Sequence, residues 1–381
     1  MKKIAAIFVI SAMLLTRAAA LVPVAEDAVV ITSPSAVLME KTTGEIIYEK
    51  NAHERLAPAS VTKVMTLLLV VEEIESGALS EDDVVTTSTR ASSMGGSQIW
   101  LREGEQMTVR EMLKALTVVS ANDCAVALAE HIAGSEDAFV GRMNERAREL
   151  GMTDTVFADC TGLLESPEHL TSAYDIALMS RELILHDMVK DYTTIWMEEL
   201  RGGKTQLNNT NKLIHGFPGA TGLKTGFTRR AMYCLSATAE RGGVEYIAVV
   251  MHDETSNDRF DSARALLNYA FANYELARIA PTEPIPPVTV SLGNAGSVQP
   301  VPLGAEHVLV PRGDAANVRV EIALEERVRA PITQGQQLGV MTARSGDEVI
   351  AEIPLVSEVE ISALGRWQIF RAFLGGLVGG M

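Results

Sequence analysis

The chain has 381 residues, 47% of them hydrophobic and 22% charged, with three cysteines and a formal net charge of −16. That length suits two or three domains with a sizeable core, and the ordinary balance of apolar and charged residues excludes a disordered or collagen-like chain. No basic run offsets the acidity, which argues against a nucleic-acid partner, and three cysteines are too few for a disulfide-dense scaffold.

The N-terminus reads as a targeting segment. Lys2 and Lys3 are followed by the apolar run Ile4 to Leu15, interrupted only by Ser11, and then by Ala18-Ala19-Ala20. Twelve residues rise only ~18 Å as a helix, short of a hydrocarbon core of ~30 Å. A signal peptide over 1–20 is therefore preferred to an uncleaved anchor, with Ala25 as a second cleavage candidate. Cleavage after Ala20 removes Lys2, Lys3 and Arg17, which takes the net charge from −16 to −19.

A catalytic-sized region, 26–280, comes next. Ala36–Met39 and Ile46–Tyr48 flank Thr43-Gly44 as a hairpin, and a helical run extends from about Pro58 to Ser76. Thr108-Val109-Arg110-Glu111 is a capping-box pattern opening a helix to about Val119. Further helices are expected at 123–133, 136–150, 171–186 and 258–273, with strands at 231–240 and 244–251. The proline-rich stretch 281–287 reads as a stiff linker. Beyond it, 288–361 alternates short apolar runs such as Val288-Thr-Val290 and His307–Val310 with turn residues, a small all-β domain. The tail, 362–381, gathers Trp367, Ile369, Phe370, Phe373, Leu374, Leu377 and Val378 on one helical face. It reads as an amphipathic C-terminal membrane anchor lying in the interface, in preference to a last helix packed on its own domain.

The chemistry narrows to three patterns. There is no Gly-x-Ser-x-Gly elbow, phosphate loop or dinucleotide fingerprint, and the seven histidines show no metal-ligand spacing, so neither cofactor nor metal is expected. Ser60-Val61-Thr62-Lys63 places a serine and a lysine on one helical face, where a desolvated amine can serve as base to the hydroxyl. Alone, such a pair fits a helix cap with an exposed lysine equally well. Ser120-Ala121-Asn122 then stands between two expected helices, and Lys224-Thr225-Gly226 on an expected strand. Each pattern occurs once, in the order of the penicilloyl-serine transferases.

With those motifs in view, the chain resembles the low-molecular-mass penicillin-binding proteins, the serine-type D-alanyl-D-alanine carboxypeptidases, and most of all those of endospore-forming bacteria. Leu56 to Thr66 is similar to the family's nucleophile segment almost throughout. Ser93 to Gln98 resembles its glycine-serine stretch, Ser120 to Asp123 its second motif, and Gly222 to Thr228 its third. The resemblance implies an α/β (α+β) domain of the serine β-lactamase/transpeptidase type, an antiparallel sheet flanked by helices, followed by the small all-β domain. It also implies an exported enzyme on the outer leaflet of the cytoplasmic membrane, acting on peptidoglycan stem peptides and acylated by β-lactam antibiotics.

Site roles follow from the resemblance alone. Ser60 would attack the penultimate D-alanine carbonyl, Lys63 would activate it, and Ser120 would relay a proton to the leaving amine. Asn122 would hold the substrate amide, and Lys224 with Thr225 the terminal carboxylate, aided by Arg259. The backbone N–H groups of Ser60 and Phe227, the latter reached through Gly226, would form the oxyanion hole. Phe227 stands where relatives have histidine, so no side-chain role in deacylation transfers. Cys160 stands where proline is expected; it and Cys124 read as buried inert thiols, with a 124–160 disulfide left open. Two other readings compete. A secreted serine β-lactamase would need a carboxylate such as Glu165 or Glu168 to hold water, yet neither lies in a Glu-x-x-Leu-Asn context. A non-catalytic peptidoglycan-binding module would not need every motif residue intact.

Overall fold

The computed structural model describes residues 23–164, 166–281, 283–304 and 306–370. The signal-peptide reading of 1–20, Glu165 and the tail beyond Phe370 lie outside the described residues. Two compact units divide between Glu275 and Leu276.

The first unit is built on a five-stranded antiparallel sheet. Its strands are β1 (Ser35–Glu40), β2 (Ile46–Lys50), β3 (Ala220–Thr228), β4 (Met232–Arg241) and β5 (Val244–Asp253), in the spatial order β2-β1-β5-β4-β3. β1 is buried along its whole length, and Tyr246 to Met251 of β5 likewise. These strands read as continuous apolar runs because the sheet is covered on both faces. Val37, Met39, Ile247, Val249 and Met251 join the large helical core. Ala36, Leu38, Ala248 and Val250 alternate with them, equally buried, on the other face.

The helical layer comprises α1 (Lys63–Glu75), α2 (Val109–Val118), α3 (Asn122–Ala133), α4 (Glu136–Glu149) and α5 (Ala173–Leu185), while α6 (Ser256–Asn273) packs on β4 and β5. Thr108 caps α2 through the reciprocal pair with Glu111, as its four-residue signature requires. The stretch from Pro58 to Ser76 is not one α-helix. Ala59–Thr62 form a 3₁₀ turn, and the α-helix begins at Lys63. β3 is the edge strand of the sheet, which leaves one row of its backbone groups open beside the nucleophile turn.

The second unit is all-β. Val318–Leu324, Gln337–Ser345, Glu348–Ser357 and Pro300–Pro302 form one antiparallel sheet, and Val288–Ser291 sits between Ser297–Val298 and Arg327–Arg329 in another. Ala277 and Ile279 lie in a core with Val308, Val310, Met341, Ile353 and Leu355, so this unit begins before the proline-rich stretch. Among the described residues no helix is long and apolar enough to cross a membrane.

Candidate active site

Ser60 sits in the 3₁₀ turn, half-buried, one turn ahead of a fully buried Lys63. The Lys63 ammonium donates to Ser60 Oγ at 3.0 Å, to Asn122 Oδ1 at 2.5 Å and to the Thr161 carbonyl at 2.8 Å. Three donors thus meet three acceptors, none of them a carboxylate. Burial lowers its pKa to about 8, against the opposing pull of Cys160, Asp159 and Asp123. A lysine poised there exchanges its proton near neutral pH, which a general base must do.

The turn is braced from behind. Ala59 adopts a left-handed backbone, φ 47°, and its carbonyl accepts from Thr62 Oγ1 at 2.8 Å. His169 Nε2 meets the same hydroxyl at 2.8 Å, while His169 Nδ1 accepts from the Ala158 N–H at 3.1 Å. His169 Nδ1 also lies 3.3 Å from Asp159 Oδ2, so the ring stands between the Thr62 hydroxyl and a buried carboxylate. Asp159 Oδ1 accepts from the N–H of Thr161 and Gly162, orienting the Thr161 carbonyl toward Lys63. Burial pushes the Asp159 carboxyl up, but the neighbouring His169 and then the hydrogen bonds from Thr161 outweigh it and hold the group far below its ordinary range.

The second motif joins α2 to α3. Asn122 opens α3, its N–H bonded to the Ser97 carbonyl at 2.7 Å and its Nδ2 to the Gly95 carbonyl at 2.7 Å. With Oδ1 on Lys63, one amide hydrogen and one lone pair remain for a substrate. Asp123 accepts from Ile99 N at 3.1 Å and Leu101 N at 3.0 Å, so the glycine-serine stretch and the segment after it wrap around this motif. Ser120 is buried with φ 64°, and its Oγ has no hydrogen-bond partner. It is not bonded to either lysine, so the expected relay is not closed here.

The third motif lies on β3. Gly226 allows that edge to reach the nucleophile: a Cβ there would stand 2.7 Å from the Pro58 carbonyl and 3.1 Å from Ser60 N. Thr225 Oγ1 meets Thr210 Oγ1 at 2.7 Å, and Lys224 Nζ donates to the Thr225 carbonyl at 3.1 Å. Burial lowers the Lys224 pKa well below the usual lysine range, helped by the charges of Lys63 and Arg259. Phe227 is 50% exposed and stacked on Tyr233 at 4.3 Å. Arg259, in the first turn of α6, is buried; its Nη1 donates to the Gly226 carbonyl at 3.0 Å. The sequence reading placed it on a substrate carboxylate, whereas here its guanidinium is engaged by the protein's own carbonyls.

Ser60, Lys63, Asn122 and the Gly226 edge therefore converge, with Lys224 coupled to Lys63 by charge. Sequence reasoning missed Thr161, Gly95 and Asp159, which act through a carbonyl, a carbonyl and a loop-bracing carboxylate. Glu168 is exposed, and its N–H donates to Ser166 Oγ at 3.2 Å within its own loop. All three cysteines are free and buried, with no 124–160 disulfide. Burial pushes the Cys234 thiol up to about 12 and those of Cys124 and Cys160 well above their ordinary value, which makes them inert. Among the described residues one group, Glu72, Glu182 and His186, is close enough to share a cation. Arg146 already bridges the two carboxylates at 2.8 and 2.6 Å and supplies that charge.

Known proteins match both units. Residues 22–255 fit the family model described as D-alanyl-D-alanine carboxypeptidase, and residues 283–363 that of the penicillin-binding protein 5 C-terminal domain. The D-alanyl-D-alanine carboxypeptidase DacF of Bacillus subtilis is 40% identical over 90% of this chain and 89% of its own. DacC of Escherichia coli is 32% identical over 84% of this chain and 82% of its own. Penicillin-binding protein 5 of Haemophilus influenzae superposes with a TM-score of 0.77 at 29% identity, covering 87% of this chain and 98% of its own. Penicillin-binding protein D2 of Listeria monocytogenes, in its ampicillin-bound form, gives 0.58 at 31% identity over 64% of this chain and 98% of its own. These matches run over four-fifths or more of each relative's own length, and the chain belongs to the D-alanyl-D-alanine carboxypeptidase family of penicillin-binding proteins.

Proposed function

We propose that this enzyme removes the terminal D-alanine from peptidoglycan stem peptides through an acyl-enzyme on Ser60, and that β-lactams acylate the same oxygen. The observation that carries the reading is the 3.0 Å contact between Ser60 Oγ and a wholly buried Lys63. Once Lys63 has lost its proton, the hydrogen bond reverses and the hydroxyl donates to the amine. Attack on the penultimate D-alanine carbonyl then passes the serine proton to Lys63. The oxyanion forms between the N–H groups of Ser60 and Phe227. The proton passes through Ser120, whose hydroxyl has no competing partner, to the leaving amine, and D-alanine departs. Water hydrolyses the ester by the reverse sequence. Lys224 and Thr225 attract the terminal carboxylate, and Asn122 offers its remaining donor and acceptor to the substrate amide. Phe227 brings no ionisable side chain to deacylation.

Purified protein distinguishes the alternatives. Release of D-alanine from a diacyl tripeptide ending in D-Ala-D-Ala, with nitrocefin turning over only slowly, is the expected result. Rapid nitrocefin turnover without D-alanine release would make it a β-lactamase, and neither reaction would make it a binding module.

The same reading extends to location. We take residues 1–20 as a cleaved export signal and the tail as an interfacial anchor on the outer leaflet of the cytoplasmic membrane. Trp367 is 79% and Phe370 52% exposed where the last described helix begins, so the start of the apolar face is uncovered. An acidic body would not be drawn to anionic lipid, which leaves the tail to supply the attachment. Deleting 364–381 is expected to move the protein from the membrane fraction to the soluble fraction with unchanged activity on a soluble peptide. Retention of the truncated protein on membranes would place the anchor elsewhere.

A further inference from the structure

Arg259 is a buried cation that forms no ion pair among the described residues, although the charge of Asp253 acts on it from beyond contact distance. It is 8% exposed, and no carboxylate of the described residues lies within salt-bridge distance of it. Its acceptors are the Gly226 carbonyl at 3.0 Å and the Cys234 carbonyl at 3.4 Å from Nη1, and Ser256 Oγ at 3.3 Å from Nη2. The guanidinium also lies against the rings of Tyr233 at 5.2 Å and Phe260 at 4.8 Å. Desolvation lowers its pKa, so the protein bears a cost in keeping a charge there. A residue kept at such cost calls for an account of what its charge does.

The carbonyl it holds belongs to the peptide that joins Gly226 to Phe227. That peptide is trans, so its C=O and its N–H point in opposite directions within one plane. The guanidinium reaches Gly226 from the side of β4, the strand that carries Cys234. The Phe227 N–H must then point away from β4, to the open edge of β3. The nucleophile turn is close by, since a Cβ added at Gly226 would stand 3.1 Å from Ser60 N. A cation on the carbonyl also polarises the peptide and makes its N–H a stronger donor.

We propose that Arg259 is a positioning residue for the oxyanion hole. It holds the Gly226 carbonyl so that the Phe227 N–H faces the carbonyl under attack, and it does not act chiefly as a ligand for the substrate carboxylate. The inference rests on the reading of the Ser60 and Phe227 N–H groups as that hole. It explains why an arginine opening α6 belongs to the site although its side chain is turned to the protein's own backbone.

The test uses the full chain with Arg259→Gln and Arg259→Lys, and three substrates: a diacyl D-alanyl-D-lactate ester, the same ester with its terminal carboxylate blocked as the amide, and the thionoester of the first. Sulfur accepts hydrogen bonds poorly, so a working oxyanion hole slows the thionoester relative to the ester. Arg259→Gln is expected to lower the acylation rate about ten- to a hundred-fold on the free and the blocked ester alike, with KM little changed. The ester-to-thionoester rate ratio should shrink in the same variant, and Arg259→Lys, which can still donate to the carbonyl, should recover most of both. A loss confined to the free-carboxylate ester would overturn the proposal and make Arg259 a carboxylate ligand. An unchanged ratio would overturn it in favour of a purely structural role. Should Arg259→Gln not fold, the ratio in Arg259→Lys decides: a value between wild type and one supports the proposal, and a wild-type ratio with slowed acylation overturns it. A wild-type enzyme that treats ester and thionoester equally would remove the oxyanion-hole reading itself, and this inference with it.

Discussion

Lys63→Ala is expected to slow acylation by every substrate about 10²–10⁴-fold, as loss of the base that activates a nucleophile does, while Ser60→Ala abolishes penicillin labelling outright. Lys224→Ala should behave differently. On a carboxylate-bearing ester it should cost roughly ten- to a hundred-fold in kcat/KM, about the worth of one partly desolvated charge-assisted contact. On the ester with a blocked carboxylate it should be nearly silent. The electrostatics of the free site sharpen this division. After burial, the charge of Lys63 is the next influence depressing Lys224. When Lys63 gives up its proton, that repulsion vanishes and Lys224 holds its own more firmly. A bound carboxylate adds the missing counter-charge. The productive form is therefore a neutral Lys63 beside a charged Lys224, each state favouring the other.

The pH profile carries the same sign. The base must be unprotonated, so kcat/KM for the blocked ester should rise with pH and level off above about 8, the value to which burial lowers Lys63. On the free-carboxylate ester an alkaline fall should be added, as Lys224 loses the proton that attracts the substrate. Equal loss of activity by Lys63→Ala and Lys224→Ala on the blocked ester would place Lys224 in the proton-transfer machinery and end the division of labour proposed here.

How far the sequence could be read depended on whether the signal was local. The Thr108 capping box, the hairpin around Gly44 and the helices at 122–133 and 256–273 rest on neighbours within four residues, and they fold as those neighbours dictate. The two-stranded ribbons Val84–Thr86 with Gln106–Thr108, and Met197–Leu200 with Thr205–Asn208, are three or four residues long and half exposed. Such strands carry too little periodicity to be seen. The site divides in the same way. Its motif side chains were legible because Ser60, Lys63, Asn122 and Lys224 each lie in a short pattern of chemical meaning. The carbonyls of Thr161 and Gly95 were not, since any residue offers a carbonyl and only the fold aims it. Ser120 shows no sign in sequence of its left-handed backbone, nor Arg259 of the carbonyl it holds.

The turn that presents Ser60 depends on a residue outside all three motifs, and Gly162→Ala should expose that dependence. Gly162 has φ 73°, and a Cβ added there would stand 1.8 Å from the Ala59 carbonyl oxygen and 2.6 Å from Thr62 Oγ1. The nearest atoms are backbone, so no side chain can swing aside. Two costs add: about 1–2 kcal/mol for an alanine in the left-handed region, and about 1–3 kcal/mol for overpacking against a backbone that must move. What moves is the Ala59 carbonyl, whose residue precedes Ser60 and already carries a left-handed φ of 47°. A displacement approaching 1 Å at a nucleophile costs about 10²-fold in rate. Gly162→Ala is therefore expected to lower Tm by about 5–15 °C, for about 2–5 kcal/mol in a domain of this size, and to slow acylation about 10²-fold in the fraction that remains folded. Gly134→Ala is the matched control: Gly134 has φ 80°, ends α3, and has nothing within 4 Å of an added Cβ. It should show only the backbone cost, about 1–2 kcal/mol, with normal acylation. If the two variants lose the same stability and both keep full acylation, the close approach of the 159–163 segment to the Ala59 carbonyl does not govern the nucleophile turn, and the bracing described for it is wrong.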